Sequence, residues 1–197
     1  MDLIFQIIIL IMSVVIHEVS HGYAANMLGD KTAEYEGRLT LNPVKHLDFF
    51  GSFIVPLLSY TLGGFIIGWA KPVPFNPYNL RNKKWGEAIV AGAGPLSNIL
   101  IALIFGFAIR LLPLSESFLL IFQAIVFINI LLAIFNLVPI PPLDGSKILF
   151  SFLPFDSRAR ALLERSGLIL VLIFIFFLWR LIFPVVVYLF NLITGLS

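Results

Sequence analysis

Apolar residues fill five long stretches of the chain, Leu3 to Leu28, Phe49 to Ala70, Ala88 to Leu112, Phe118 to Val138 and Gly167 to Ile193, separated by polar or proline-rich connections. Each is on the order of 20 residues or more, the length a helix needs to cross a hydrocarbon layer about 30 Å thick. The pattern predicts an all-α polytopic membrane protein, a helical bundle of four to six membrane segments forming one domain over residues 1–197. The second stretch carries Pro56 and the pair Gly63 and Gly64, breakers that could fold it into a re-entrant hairpin in place of a straight span; both readings stay open, with the dip favoured. The fifth is interrupted by Arg180 and Pro184 and is either one kinked helix or two pieces. Between the first two stretches, Glu34 to Asn42 (EYEGRLTLN) alternates like a short strand bounded by Gly and Pro, which predicts a β-like re-entrant segment.

Composition leads to the same class independently. With 59% hydrophobic and 12% charged residues and a mean hydropathy of +1.01, the chain has too little polar surface to cover an apolar core in water. A net charge of +2, without a basic run interleaved with aromatics, excludes a nucleic-acid partner. The absence of cysteine excludes disulfides and thiolate ligands, leaving His and carboxylate side chains to hold any metal. The first stretch lacks a basic leading region and a small-residue cleavage site, so it reads as a span and not as a signal peptide.

Basic residues set the expected orientation. They follow the first stretch (Lys31, Arg38, Lys45), the second (Lys71, Arg81, Lys83, Lys84) and Asp144 (Lys147, Arg158, Arg160, Arg165). If the second stretch dips in and returns, all three basic loops share one side. By the positive-inside rule that side is cytoplasmic, in a multi-pass protein of the cell membrane whose N-terminus lies outside.

The chemistry sits in the first stretch, where His17, Glu18 and His21 spell HEVSH. Residues four apart lie one above the other on a helix, so His17 and His21 can point at one tetrahedral Zn²⁺. Glu18 lies beside them, where a carboxylate can take a proton from a water at the metal. Two imidazoles and a carboxylate are expensive in hydrocarbon and are retained mainly where they act. A catalytic zinc usually has a third protein ligand, and Asp144 in NLVPIPPLDG is the candidate. With an outside N-terminus, His17 lies about 16 Å from the cytoplasmic end of its helix. The fourth stretch then runs inward and delivers Asp144 to the same half of the membrane, after Pro139, Pro141 and Pro142 break its helix.

HEVSH at 17–21, KPVPFNP at 71–77, GPLSN at 94–98 and NLVPIPPLDG at 136–145 together resemble the site-2 protease family of intramembrane zinc metalloproteases. The resemblance implies one zinc per chain held by His17, His21 and Asp144, with Glu18 as general base. It implies hydrolysis of peptide bonds in membrane-spanning protein substrates, on the cytoplasmic side of the bilayer, and a substrate-handling role for Asn136. No PDZ or CBS segment is recognisable, which suggests a compact member.

Several residues keep two readings. Gly92, Gly94, Pro95 and Ser97 offer a small-residue helix face for close packing. The Asn98 amide either binds the polarised substrate carbonyl or staples helices together. The KPVPFNP loop either docks substrate or skirts the headgroups beside Trp69 and Trp85. The backbone of Arg38, Leu39, Thr40 and Leu41 offers an edge on which an unwound substrate can pair by β-addition. Two other function classes compete with hydrolysis, a divalent-metal transporter and a pseudoprotease that binds membrane helices without cutting them.

Overall fold

A computed structural model of the chain describes residues 3–54, 58, 61, 70–154 and 157–196. Helix α1, Leu3–Met27, is 25 residues long and so extends about 37 Å at about 1.5 Å per residue. It stops at Gly29, whose φ of 104° is open to glycine and costly to other residues. There the Asp30 N–H donates to Ala25 O and the Gly29 N–H to Asn26 O, closing the orphan carbonyls of the last turn.

The short helix α2, Thr32–Tyr35, follows, and the buried Asp30 carboxylate organises this corner. It accepts from the Thr32 N–H and Oγ1, from the Asn76 N–H and from Asn79 Nδ2. Burial alone pushes this carboxyl up, but the hydrogen bonds from Thr32, Asn79 and Asn76 outweigh it and hold the group below its ordinary value. Asp30 thereby ties the end of α1 to the proline-rich strap at 70–80.

The expected β-like segment forms no ladder among the described residues. α2 takes up its first part, Gly37 turns the chain at a φ of 61°, and 38–42 run as a loop into a 3-10 turn, Pro43–His46. Asn42 starts that turn by accepting from the Val44 N–H. In place of cross-strand bonds, the buried Arg38 guanidinium donates to the carbonyls of Lys45, Lys71 and Pro72. A π-helical turn at Phe50–Ile54 opens the second stretch; Pro56, Gly63, Gly64 and Trp69 lie outside the described residues.

Helices α3, Gly86–Leu111, and α4, Glu116–Leu137, are the other long apolar rods. Among the described residues three helices, α1, α3 and α4, are long and apolar enough to cross a membrane. The fifth stretch is broken by 67° between 169–177 and 182–194 and counts as a fourth only if this bent pair is one span. It comprises α6, Arg158–Ile173, a π-helical turn at Phe174–Leu178, and α7, Trp179–Thr194. The short α5, Asp144–Phe150, begins after the prolines that end α4.

Helix α3 lies centrally and packs on α1, α4, α5 and α7. Toward its C-terminal end, Ala102 meets Val126 and Ile130 of α4 and Val186 of α7 in a buried apolar cluster. Arg110 closes this end by donating to the carbonyls of Leu192 and Ile193 in the last turn of α7.

Candidate metal centre

α1 carries His17 and His21 one turn apart on the face packed against α3, with ring planes nearly perpendicular at 86°. Their close fit depends on Gly94 of α3. A Cβ there would sit 2.4 Å from His21 Nε2 and 2.6 Å from His17 Nε2. The small-residue face expected at 92–97 thus admits two imidazoles as well as a neighbouring helix. Asp144 reaches the same point from the first turn of α5, and all three residues are buried.

The three ligand atoms converge. His17 Nε2 lies 3.0 Å from His21 Nε2 and 3.1 Å from Asp144 Oδ2, and His21 Nε2 lies 3.3 Å from that same oxygen. Ligand atoms about 2.0–2.2 Å from a tetrahedral zinc lie roughly 3.3 Å apart, so this triangle matches one face of such a site. The protonation pattern supports the fit. His21 Nδ1 is 2.7 Å from Val90 O, a carbonyl that only accepts, so that nitrogen carries the proton and Nε2 presents a lone pair. His17 Nδ1 lies 2.6 Å from Asn98 Oδ1 in the equivalent relation. Two imidazole lone pairs and a carboxylate oxygen facing one another repel unless a cation sits among them. The donor set of two nitrogens and one oxygen suits zinc.

Glu18 lines the same cavity as the three ligand residues. Its Oε2 accepts from the Val73 N–H at 2.9 Å, so the strap runs directly over the carboxylate beside the ligands. Arg38 holds the strap just before Val73 and Asp30 holds it just after Phe75. Gly22 allows both Leu39 and Val73 to close on α1, because a Cβ there would meet their side chains at 2.6 and 2.8 Å. A cavity of about 150 Å³ opens between the strap and α5, lined by the three ligands, Glu18, Phe75, Asn136 and Lys147 among others. Across its mouth the Lys147 ammonium lies 4.9 Å from the centre of the Phe75 ring.

The remaining expected residues fall in two groups. Asn136 lines the cavity and donates from Nδ2 to Leu132 O at 3.0 Å. Asn98 sits behind His17, with Oδ1 on the imidazole and Nδ2 directed to Asn129 and to Ser13 O, the stapling geometry of its two readings. Arg38 faces the strap, and the Thr40 carbonyl accepts from His46 Nε2. Ser13, Asn129, Asp30 and the Val73 N–H were not singled out from the sequence; of these, only Asn129, an amide inside an apolar run, carries a local signal.

Apolar spans that gather His, His and carboxylate at one buried point define a membrane protein with a candidate metal centre at its core. The profile of Peptidase family M50 matches residues 5–118 and 114–179, and the chain belongs to this family. It is 37% identical over 165 residues to a Bacillus subtilis (strain 168) protein named "Putative zinc metalloprotease YwhC", covering 79% of this chain and 72% of that one. It is 32% identical over 173 residues to "Putative zinc metalloprotease Rip2" of Mycolicibacterium smegmatis, covering 83% of this chain and 63% of that one. It is 34% identical over 157 residues to "Putative zinc metalloprotease MJ0611" of Methanocaldococcus jannaschii, covering 74% of this chain and 72% of that one. No solved structure matches the chain.

Proposed function

We propose that this chain is a zinc-dependent intramembrane endopeptidase that cuts membrane-spanning proteins from the cytoplasmic side of the cell membrane. The observation that carries the reading is the meeting of His17 Nε2, His21 Nε2 and Asp144 Oδ2 beside Glu18, at the base of a cavity roofed by a proline-rich strap. His17, His21 and Asp144 would hold one zinc. When bound, zinc lowers the pKa of a water to about 7 and polarises a carbonyl.

The chain's own groups handle the proton and the substrate. Glu18 accepts a proton as the water oxygen adds to the scissile carbonyl carbon, then delivers it to the amide nitrogen as the C–N bond breaks. Asn136, which lines the cavity, would hold the substrate main chain there. Asn98 acts behind His17. The backbone of Arg38, Leu39, Thr40 and Leu41, beside the strap, offers an edge to substrate already unwound from its helix.

The test is Glu18→Gln in the purified protein, with a single-span substrate and a metal assay run together. Zinc should stay near one per chain while cleavage falls about 10²–10⁴-fold. Undiminished cleavage would overturn the assignment of the base. Metal flux into vesicles without proteolysis would replace hydrolysis by transport.

A further inference from the structure

We infer that Asn98, Asn129 and Ser13 form a hydrogen-bond relay across three helices that sets the tautomer and ring orientation of His17, making the two amides positioning residues for the metal. This rests on the reading of His17, His21 and Asp144 as ligands. It concerns groups that touch neither metal nor substrate.

The relay begins at main-chain carbonyls, which have only one polarity. Asn129 of α4 lies with Nδ2 2.9 Å from Ile125 O and 2.9 Å from Ser13 Oγ of α1. A carbonyl accepts and cannot donate, so the amide group facing Ile125 must be the NH₂. The Asn129 oxygen is thereby turned toward α3, where it lies 2.7 Å from Asn98 Nδ2. That nitrogen also lies 3.4 Å from the Ser13 carbonyl, a second acceptor-only partner. With its NH₂ committed to two oxygens, Asn98 has only Oδ1 left for His17 Nδ1, at 2.6 Å. His17 Nδ1 must then carry the proton, and Nε2 is left with a lone pair aimed at His21 Nε2 and Asp144 Oδ2. Flipping either amide would set oxygen against oxygen or NH₂ against N–H at more than one contact.

Placement makes the relay consequential. Asn98 and Asn129 are both at 0% exposure, and Ser13 lies one turn before His17 on the same face of α1. In so apolar a setting no water competes for these groups, so an altered amide has no substitute partner. The two imidazoles also differ in kind. His21 is oriented by a main-chain carbonyl that substitution leaves in place, whereas His17 is oriented by side chains that can be removed singly. Outer partners of this sort raise ligand basicity and hold the ring against rotation. A relay that merely stapled α1, α3 and α4 would affect unfolding and leave metal affinity alone.

The experiment uses the full chain in detergent or nanodiscs, with zinc affinity from chelator competition, the absorption spectrum of the cobalt-substituted protein, and thermal unfolding of the metal-free form. Asn98→Ala should weaken zinc about 10–100-fold and shift the cobalt bands. Asn98→Asp, which keeps an oxygen toward His17 but sets a second oxygen against Asn129 Oδ1 and the Ser13 carbonyl, should recover only part of that loss. Asn129→Leu, which leaves Asn98 in place but unpolarised, should weaken zinc by less, and its effect should largely vanish in an Asn98→Ala background. If Asn98→Ala and Asn129→Leu both bind zinc within twofold of wild type while unfolding at lower temperature, the residues only hold helices together and the relay is wrong. His21→Ala is the control for the ligand assignment: undiminished zinc binding there would fault the metal centre itself, whatever the relay variants do.

Discussion

Helix α3 passes through two layers that share a geometry and differ in chemistry. At Gly94 and Asn98 it meets α1 and α4 through imidazoles, amides and a hydroxyl; farther along, at Ala102 and Gly106, it meets α4 and α7 through methyl groups. Both layers have a glycine where another element comes close. A Cβ on Gly94 would strike His21 and His17 nitrogens, and one on Gly106 would strike Ile193 Cγ2 at 2.1 Å. The obstacles differ in how they can yield. Ile193 Cγ2 is a methyl with no directional bond to lose, so the cost there is steric, whereas both rings are pinned at Nδ1, His17 to Asn98 and His21 to Val90 O. Packing in the apolar layer is a matter of volume, and packing in the polar layer is a matter of direction.

The sharpest way to break this contrast is to remove a ligand. Asp144→Ala should cost more zinc affinity than the about 10–100-fold expected of outer partners, and should abolish cleavage, as read by metal analysis and a substrate assay. Next is the paired substitution on α3. Gly94→Ala should lose zinc nearly as completely, while Gly106→Ala should lower stability by about 1–3 kcal/mol with zinc affinity unchanged. Equal metal loss in both would erase the distinction between the layers. Ile130→Val in the apolar cluster should cost about 0.5–1.5 kcal/mol in unfolding and leave the metal titration untouched.

The smallest effect belongs to Asp30. Because its carboxyl is held below the ordinary 3.8, the stabilisation it supplies is complete well above that pH and is lost as pH falls from there through the depressed value. Unfolding temperatures of wild type and Asp30→Asn should therefore differ by a constant amount near neutrality and draw together in acid. A gap that persists unchanged below pH 3.8 would remove the carboxylate from its role at the strap.

The two layers were also unequally legible in the sequence. HEVSH and the acid of LDG announce themselves because metal ligation demands particular residue types at particular spacings, and the structure brings His17, His21 and Asp144 together. The long apolar rods were readable from length alone. Asn129 and Ser13 were not, because a hydrogen bond between helices depends on which faces meet, and nearly uniform hydrophobicity leaves the rotation of each rod unmarked. The alternation at 34–42 suggested a strand, but it does not track burial: Tyr35 and Leu41 are exposed while Arg38 turns inward to bind carbonyls of the strap. The fifth stretch left a choice between a kink and two pieces, and the observed break falls at a π-helical turn ahead of Pro184.

Flanked by Pro72 and Pro74, Val73 supplies the only main-chain donor between Lys71 and Phe75, and Glu18 already claims it. A guest peptide laid along 72–74 would find no free amide hydrogen there, so any main-chain pairing would have to use amide hydrogens of its own. A chain still coiled has none to spare. On the proposed peptidase reading, a strap that docks substrate would take polypeptide only after its internal bonds have opened.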